Sequence, residues 1–180
     1  MVDTDLLWLI VFRTYMTPFD NIIGRTITSV IRQDFERSYE FQSPLGIYLR
    51  TSEQDGLYLG VLNDRTSVNV ELMTENQLNE YCGTEYLESH LNKPLDEDEL
   101  NSLVGEQIST IELAEYEEEK IEGNNFVLKQ GKYAGIRIRT TSNELTFYNS
   151  EAGNLWMNLD MDIPNEKRCK WIKNEPQQNV

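Results

Sequence analysis

Ile23-Gly24-Arg25-Thr26-Ile27-Thr28-Ser29-Val30 and Val104-Gly105-Glu106-Gln107-Ile108-Ser109-Thr110-Ile111 carry one pattern twice, 81 residues apart (104 − 23). In each, an apolar residue and a glycine lead through two polar residues to Ile, a hydroxyl pair and a second apolar residue. Further on, Gly46-Ile47-Tyr48-Leu49-Arg50-Thr51 matches Gly135-Ile136-Arg137-Ile138-Arg139-Thr140 at an offset of 89 (135 − 46). Val68-Asn69-Val70-Glu71-Leu72 matches Met157-Asn158-Leu159-Asp160-Met161 at that same offset of 89 (157 − 68). A period this long exceeds that of solenoid repeats and implies a doubled small domain.

Each copy reads as β. Ile136, Ile138 and Thr140 alternate with Arg137 and Arg139, and Val68, Val70 and Leu72 alternate with Asn69 and Glu71. A period of two puts the apolar set on one face of a strand. Turn signals separate the runs at Gln54-Asp55-Gly56, Asn63-Asp64, Ser142-Asn143 and Glu151-Ala152-Gly153-Asn154. Such connections are too short for parallel crossovers, so antiparallel meanders follow. Helical signals lie between the copies. Thr74 with Gln77 reads as a capping box leading Leu78, Tyr81 and Cys82 towards a stop at Gly83. Thr84 is positioned to cap a second piece carrying Leu87 and Leu91, and Asp96 with Glu99 to cap a third carrying Leu100, Leu103 and Val104. The expected fold is α+β and mainly antiparallel β: two tandem copies of a small β-rich unit, residues 1–91 and 92–180, joined by a short acidic helical connector.

Composition narrows the function. The 180 residues include 31 Asp and Glu against 16 Lys and Arg, a net charge of −15, with 39% apolar and 10% aromatic residues. The apolar share supports a packed core and separates the chain from disordered acidic segments. The acidity argues against gripping nucleic-acid phosphates and against docking on an anionic membrane. The run Leu6-Leu7-Trp8-Leu9-Ile10-Val11-Phe12 follows Asp3 and Asp5, and is too short for a membrane span and lacks the basic start of a signal peptide. It reads as a buried strand or short helix, with the cytoplasm as the expected compartment. The tail Asn174–Val180 has nothing to bury and is expected to fray.

Catalytic signals are absent. The single histidine, His90, falls at an expected helix end, where a structural role suits it, and it excludes a multi-histidine zinc site. Cys82 and Cys169 read as thiols, not a disulfide framework. There is no phosphate loop and no nucleophile elbow, and Asp96-Glu97-Asp98-Glu99 lacks the alternation and glycine of a calcium loop. Neither an enzyme, a cofactor nor a metal is expected.

The charge is concentrated. From Glu75 to Glu122 there are 15 acidic residues opposed only by Lys93 and Lys120, a net −13 (2 − 15). The second copy is also longer there: 15 residues separate Val30 from Gly46, and 23 separate Ile111 from Gly135. The extra stretch contains Glu117-Glu118-Glu119-Lys120. A charge run ordinarily makes a solvated face. Here it is confined to one copy and carries Tyr116, an aromatic of the kind that anchors interfaces.

In size, acidity, β-rich build and lack of catalytic motifs, the chain resembles the immunity proteins of bacterial toxin–immunity systems, especially those of contact-dependent growth inhibition. The resemblance covers the chain as a whole, and no residue motif carries it. It implies a cytoplasmic inhibitor that binds a cognate basic toxin domain, frequently a nuclease, and covers its active site. On this expectation the contact surface comprises Glu112, Glu115, Tyr116, Glu117, Glu118, Glu119 and Glu122, with Glu97 and Asp98 on the same face. Two other readings are a DNA-mimic inhibitor of a host nucleic-acid enzyme, and a carbohydrate-binding module using Trp8, Trp156 and Trp171 as platforms.

Overall fold

The computed structural model describes residues 19–34, 44–62, 67–85, 89–116, 121–122, 126–127, 133–149, 154–157 and 169–174. The run at residues 6–12 and the tail at 175–180 lie outside the described residues.

A 3-10 turn at Asp20–Ile22 leads into β1 (Ile27–Asp34), β2 (Gly46–Thr51), β3 (Asp55–Val61) and β4 (Val68–Thr74), then α1 (Glu75–Glu85) and β5 (His90–Asn92). A second 3-10 turn, Glu99–Leu103, opens the other half. It continues through β6 (Ile108–Tyr116), β7 (Ile121–Glu122), β8 (Phe126–Val127), β9 (Tyr133–Thr140), β10 (Glu144–Tyr148), β11 (Asn154–Met157) and β12 (Cys169–Asn174). The pairings between these strands are antiparallel. Among the described residues ten strands form one hydrogen-bonded system, and β7 and β8 form a two-stranded pair within the longer stretch of the second half. The ten divide into β5-β1-β2-β3-β4 and β12-β6-β9-β10-β11, which are joined where Val68 pairs with Tyr133 and, at the other end, by an isolated bridge between Thr26 and Gln107. The fold is β-rich α+β, as the alternation predicts.

Glycine conformation sets the start of both halves. Gly24 has φ +87° and Gly105 has φ +90°, a region that side chains with a Cβ rarely occupy. Each glycine ends a 3-10 turn whose apolar residues are buried: Phe19 and Ile22 in the first, Leu100 and Leu103 in the second. Beyond them, β1 shifts register against β2 between Ile27 and Ser29, and β6 shifts against β9 between Ile108 and Thr110. The hydroxyl of the residue at the first shift, Thr28, donates to the carbonyls of Arg50 and Thr51, and that of Ser109 at the second donates to those of Arg139 and Thr140.

One expected correspondence is displaced. Leu72 pairs with Leu57, and Met157 pairs with Leu145. Met157 therefore occupies the ladder position of Leu72, not of Val68. The turns of the second half are shorter, so the offset falls after β9, and residues 158–161 lie outside the described residues.

The inner faces share one core, built from Ile27, Val30, Ile47, Leu49, Leu57 and Leu59 of the first half and Ile108, Ile111, Leu113, Ile136, Ile138 and Phe147 of the second. The outer face of the first half is covered by α1. Thr74 and Gln77 form the reciprocal capping box: the Gln77 N–H donates to Thr74 Oγ1 at 3.3 Å, and the Thr74 N–H donates to Gln77 Oε1 at 2.8 Å. Leu78 and Cys82, one turn apart, then pack on Tyr48, Tyr58 and Met73. Burial there pushes the Cys82 thiol up to about 11. Cys82 and Cys169 are thiols, not joined in a disulfide.

Three local expectations change. Gly83 does not stop α1, which runs on to Glu85; packing of the preceding turn outweighs the modest cost of one helical glycine. Leu91 lies in β5, where His90, Leu91 and Asn92 pair with Asp34, Gln33 and Arg32, so His90 is a strand residue. The third helical piece is a 3-10 turn capped by Asp98, whose side chain accepts the Leu100 N–H, and not by Asp96.

Aromatic packing makes Gly56 a sensitive position. A Cβ there would lie 2.5 Å from Tyr48 Cζ and 2.6 Å from the Leu49 carbonyl. The carbonyl belongs to a paired strand and the ring is buried, so neither yields cheaply. Gly56→Ala is expected to lower stability by about 1–3 kcal/mol, read as a lower urea midpoint with an unchanged slope.

Candidate partner-binding surface

The acidic residues of β6 are met by bases that sequence distance hides. Glu112 is 3% exposed. Its carboxylate accepts from Arg139 Nη1 at 2.7 Å and Arg137 Nη1 at 3.4 Å. Glu144 closes the group, accepting from Arg139 Nε at 2.6 Å and lying 3.5 Å from Arg137 Nε. Hydrogen bonding to Glu112 raises the Arg139 pKa, with smaller help from Glu144. Arg137 also lies over the ring of Trp171, 4.6 Å from its centroid. In β12 the backbone of Lys173 is in register with Glu112 and that of Lys170 with Glu115; the Lys173 side chain is outside the described residues. Glu112 is thus the hub of a buried charge network on the outer face of the second half. This corrects its expected place on an open acidic surface: strand alternation turns it towards the arginines of β9.

The other expected contact residues are scattered. Glu115 is half-buried near Tyr133, whose pKa is raised by burial and by that carboxylate. Tyr116 ends β6 opposite Cys169, and Glu122 lies in β7; their side chains are outside the described residues. Glu117, Glu118 and Glu119 also lie outside them. Trp171 is half-buried against Arg137, which does not suit an open sugar platform. The backbone of Trp156 pairs with Thr146, and Trp8 lies outside the described residues.

Glu97 and Asp98 belong to a differently built feature. Arg32 of β1, 6% exposed, donates from Nη1 to Asp98 Oδ2 at 2.7 Å and from Nη2 to Asp34 Oδ1 at 3.0 Å. The other oxygen of Asp34 accepts from Asn92 Nδ2 at 3.2 Å. Burial opposes the charge of Arg32, but the bonds and charges of Asp34 and Asp98 outweigh it and raise its pKa. The segment Asn92–Asp98 is therefore clamped at both ends by one buried Arg–Asp pair. Asn101 Nδ2 holds its centre through the Leu95 carbonyl at 2.5 Å, and the Asp98 N–H donates to that carbonyl at 2.9 Å.

The clamped segment and the turn after it display an unusual set of side chains. Leu95 in the segment is 49% exposed and Val104, just past the 3-10 turn, 45%, the two exposed large hydrophobics among the described residues. Asp96 and Glu97 of the segment and Glu99 of the turn are exposed as well. Asp98, by contrast, faces inward, a correction to its expected place beside Glu97. Sequence reading missed Arg32, Leu95 and Val104. An arginine within the apolar run Val30-Ile31-Arg32 was the available sign of a buried pair.

Compared with protein-family models, curated proteins and solved structures, the chain matches none. Among the described residues no helix is long and apolar enough to cross a membrane. No group of three or more His, Cys, Asp or Glu among them is placed to hold a metal ion.

Proposed function

We infer that this chain is an immunity-type inhibitor: two tandem β-rich units that together present an acidic surface to one cationic protein, a toxin nuclease being the partner class. The tandem reading draws support from the matched glycine turns, register shifts and hydroxyl bonds of the two halves. The binding reading rests on the clamped segment. Leu95 is held out with Asp96 and Glu97 on a backbone fixed at its ends through Arg32 and Asp34, so little ordering entropy opposes their engagement, and Glu99 and Val104 are exposed in and just past the 3-10 turn that follows. Carboxylates speed encounter with a basic cleft, and apolar side chains at the centre of a contact slow its release. Glu117–Glu119 extend the acidic surface on this reading.

The test is whether the gene beside this one encodes a basic toxin domain, and then protection against that domain and binding to it. The triple reversal Asp96→Lys, Glu97→Lys, Glu99→Lys is expected to slow association at least tenfold at low salt, with the difference shrinking as salt rises. Its urea midpoint is expected to stay within about 0.5 kcal/mol of the parent, because the three side chains are exposed. A matched reversal of Glu117–Glu119 measures that segment separately. Unchanged association in both variants would remove the acidic surface from the interface and leave a sheet edge as the contact. Failure of the parent chain to bind the toxin domain would remove the immunity reading itself.

A further inference from the structure

Besides the Val68–Tyr133 pairing, the halves meet along a short main-chain seam whose bonds come in matched pairs. The Gly24 N–H donates to the Ile108 carbonyl at 2.8 Å, and the Gly105 N–H donates to the Ile27 carbonyl at 2.8 Å. The Ile27 N–H donates to the Glu106 carbonyl at 2.9 Å, and the Ile108 N–H to the Arg25 carbonyl at 3.0 Å. In each pair, interchanging the halves carries the donor of one bond onto the donor of the other and its acceptor onto the other acceptor. Between them Thr26 faces Gln107 in an isolated antiparallel bridge. The approximate two-fold this implies is the geometry of an isologous dimer interface, held here within one chain.

We propose that the same seam joins two copies of this chain by reciprocal exchange, the first half of each molecule docking on the second half of the other. The proposal rests on the tandem reading of the halves. The seam bonds run between main-chain groups, so a second molecule presents the same donors and acceptors. The shared core makes the same demand: the inner faces holding Ile47 and Leu49, and Ile136 and Ile138, are buried against one another. Either face is covered equally well by the half it is tethered to or by that of a neighbour. Only six residues, Lys93 to Asp98, connect β5 to the second 3-10 turn, and they include Pro94. The tether gives the closed monomer a high effective concentration, so exchange competes only when whole chains refold together at high concentration.

The bonds that flank Thr26 and Gln107 make them a non-hydrogen-bonded pair, where Cα atoms lie about 4.5 Å apart and a disulfide fits. The variant is therefore Thr26→Cys with Gln107→Cys, in a Cys169→Ser background that retains the buried Cys82. It is refolded from denaturant under reducing conditions over a concentration series, separated by gel filtration with light scattering, and then oxidised. A dimer fraction that rises with refolding concentration is expected. The isolated dimer is expected to become covalent on oxidation, while the isolated monomer closes its bond without change of mass. Monomer alone at every concentration, or a dimer that oxidises to unlinked chains, overturns exchange while leaving the seam intact. A monomer that forms no bond overturns the seam and the tandem reading with it. The parent chain, refolded over the same series, shows the same dimer fraction if the cysteines are not responsible for it.

Discussion

Glu112→Ala is expected to lower the stability of the fold by about 3–5 kcal/mol, the cost of removing one side of a buried ion pair. Glu112 is 3% exposed and receives hydrogen bonds from two arginines. Its loss leaves Glu144 as the remaining partner among the residues paired with Arg137 and Arg139 in this network. Arg139 reaches solvent and recovers part of its hydration, whereas Arg137, with 13% of its side chain exposed, does not. The effect is therefore expected to fall mainly on Arg137 and the Trp171 ring against it. Glu112→Gln keeps the shape and is expected to cost less. Urea unfolding of both variants measures the difference. A Glu112→Ala protein of unchanged midpoint that had lost toxin binding would return this residue to the interface.

Arg32→Leu is expected to have an effect of similar size, again about 3–5 kcal/mol. The substitution leaves the Asp34 carboxylate, 5% exposed, with Asn92 as its remaining side-chain donor. It also releases Asp98, and with it one end of the segment carrying Leu95, Asp96 and Glu97. Two readouts separate these consequences. The urea midpoint reports the buried carboxylate, and amide exchange at residues 95–101 reports the segment. Arg32→Lys places one charge between the two aspartates but cannot fork to both, so it is expected to fall between the parent and Arg32→Leu. A double-mutant cycle with Asp98→Ala isolates the Arg32–Asp98 coupling. Unchanged exchange in Arg32→Leu would mean that the segment is held by its own turn and not by the clamp.

These two networks alter the meaning of the acidic run. Counted along the chain, Glu75 to Glu122 holds 15 acids and two bases. In the fold, Arg50 pairs with Glu75, Arg32 with Asp98, and Arg137 and Arg139 with Glu112. Part of the imbalance is thus answered within the molecule. The exposed acids among the described residues include Asp96, Glu97 and Glu99, together with Glu71 away from the clamp.

Local physics made much of the scaffold readable. Alternation marked β2, β4 and β9 because a strand turns successive side chains to opposite faces. Paired glycines marked the start of each half because a positive φ favours a residue without a Cβ. The Thr74–Gln77 box marked α1 because the capping bonds reach only three residues. Less local features were misread. The offset of 89 carried past β9 because turn lengths, not composition, set the register of β11. Asp96 has the spacing of a cap, but Asp98 holds the turn, fixed there by Arg32, 66 residues away.

The sequence by itself determined the antiparallel β character, the repeated turns and the excess of negative charge, since each depends on residue type and short-range spacing. Only the tertiary structure decided which carboxylates are engaged and which are presented. Hydrogen bonds and ion pairs form over a few ångströms of space, and the arginines that hold Glu112 and Asp98 are 25 to 66 residues away along the chain.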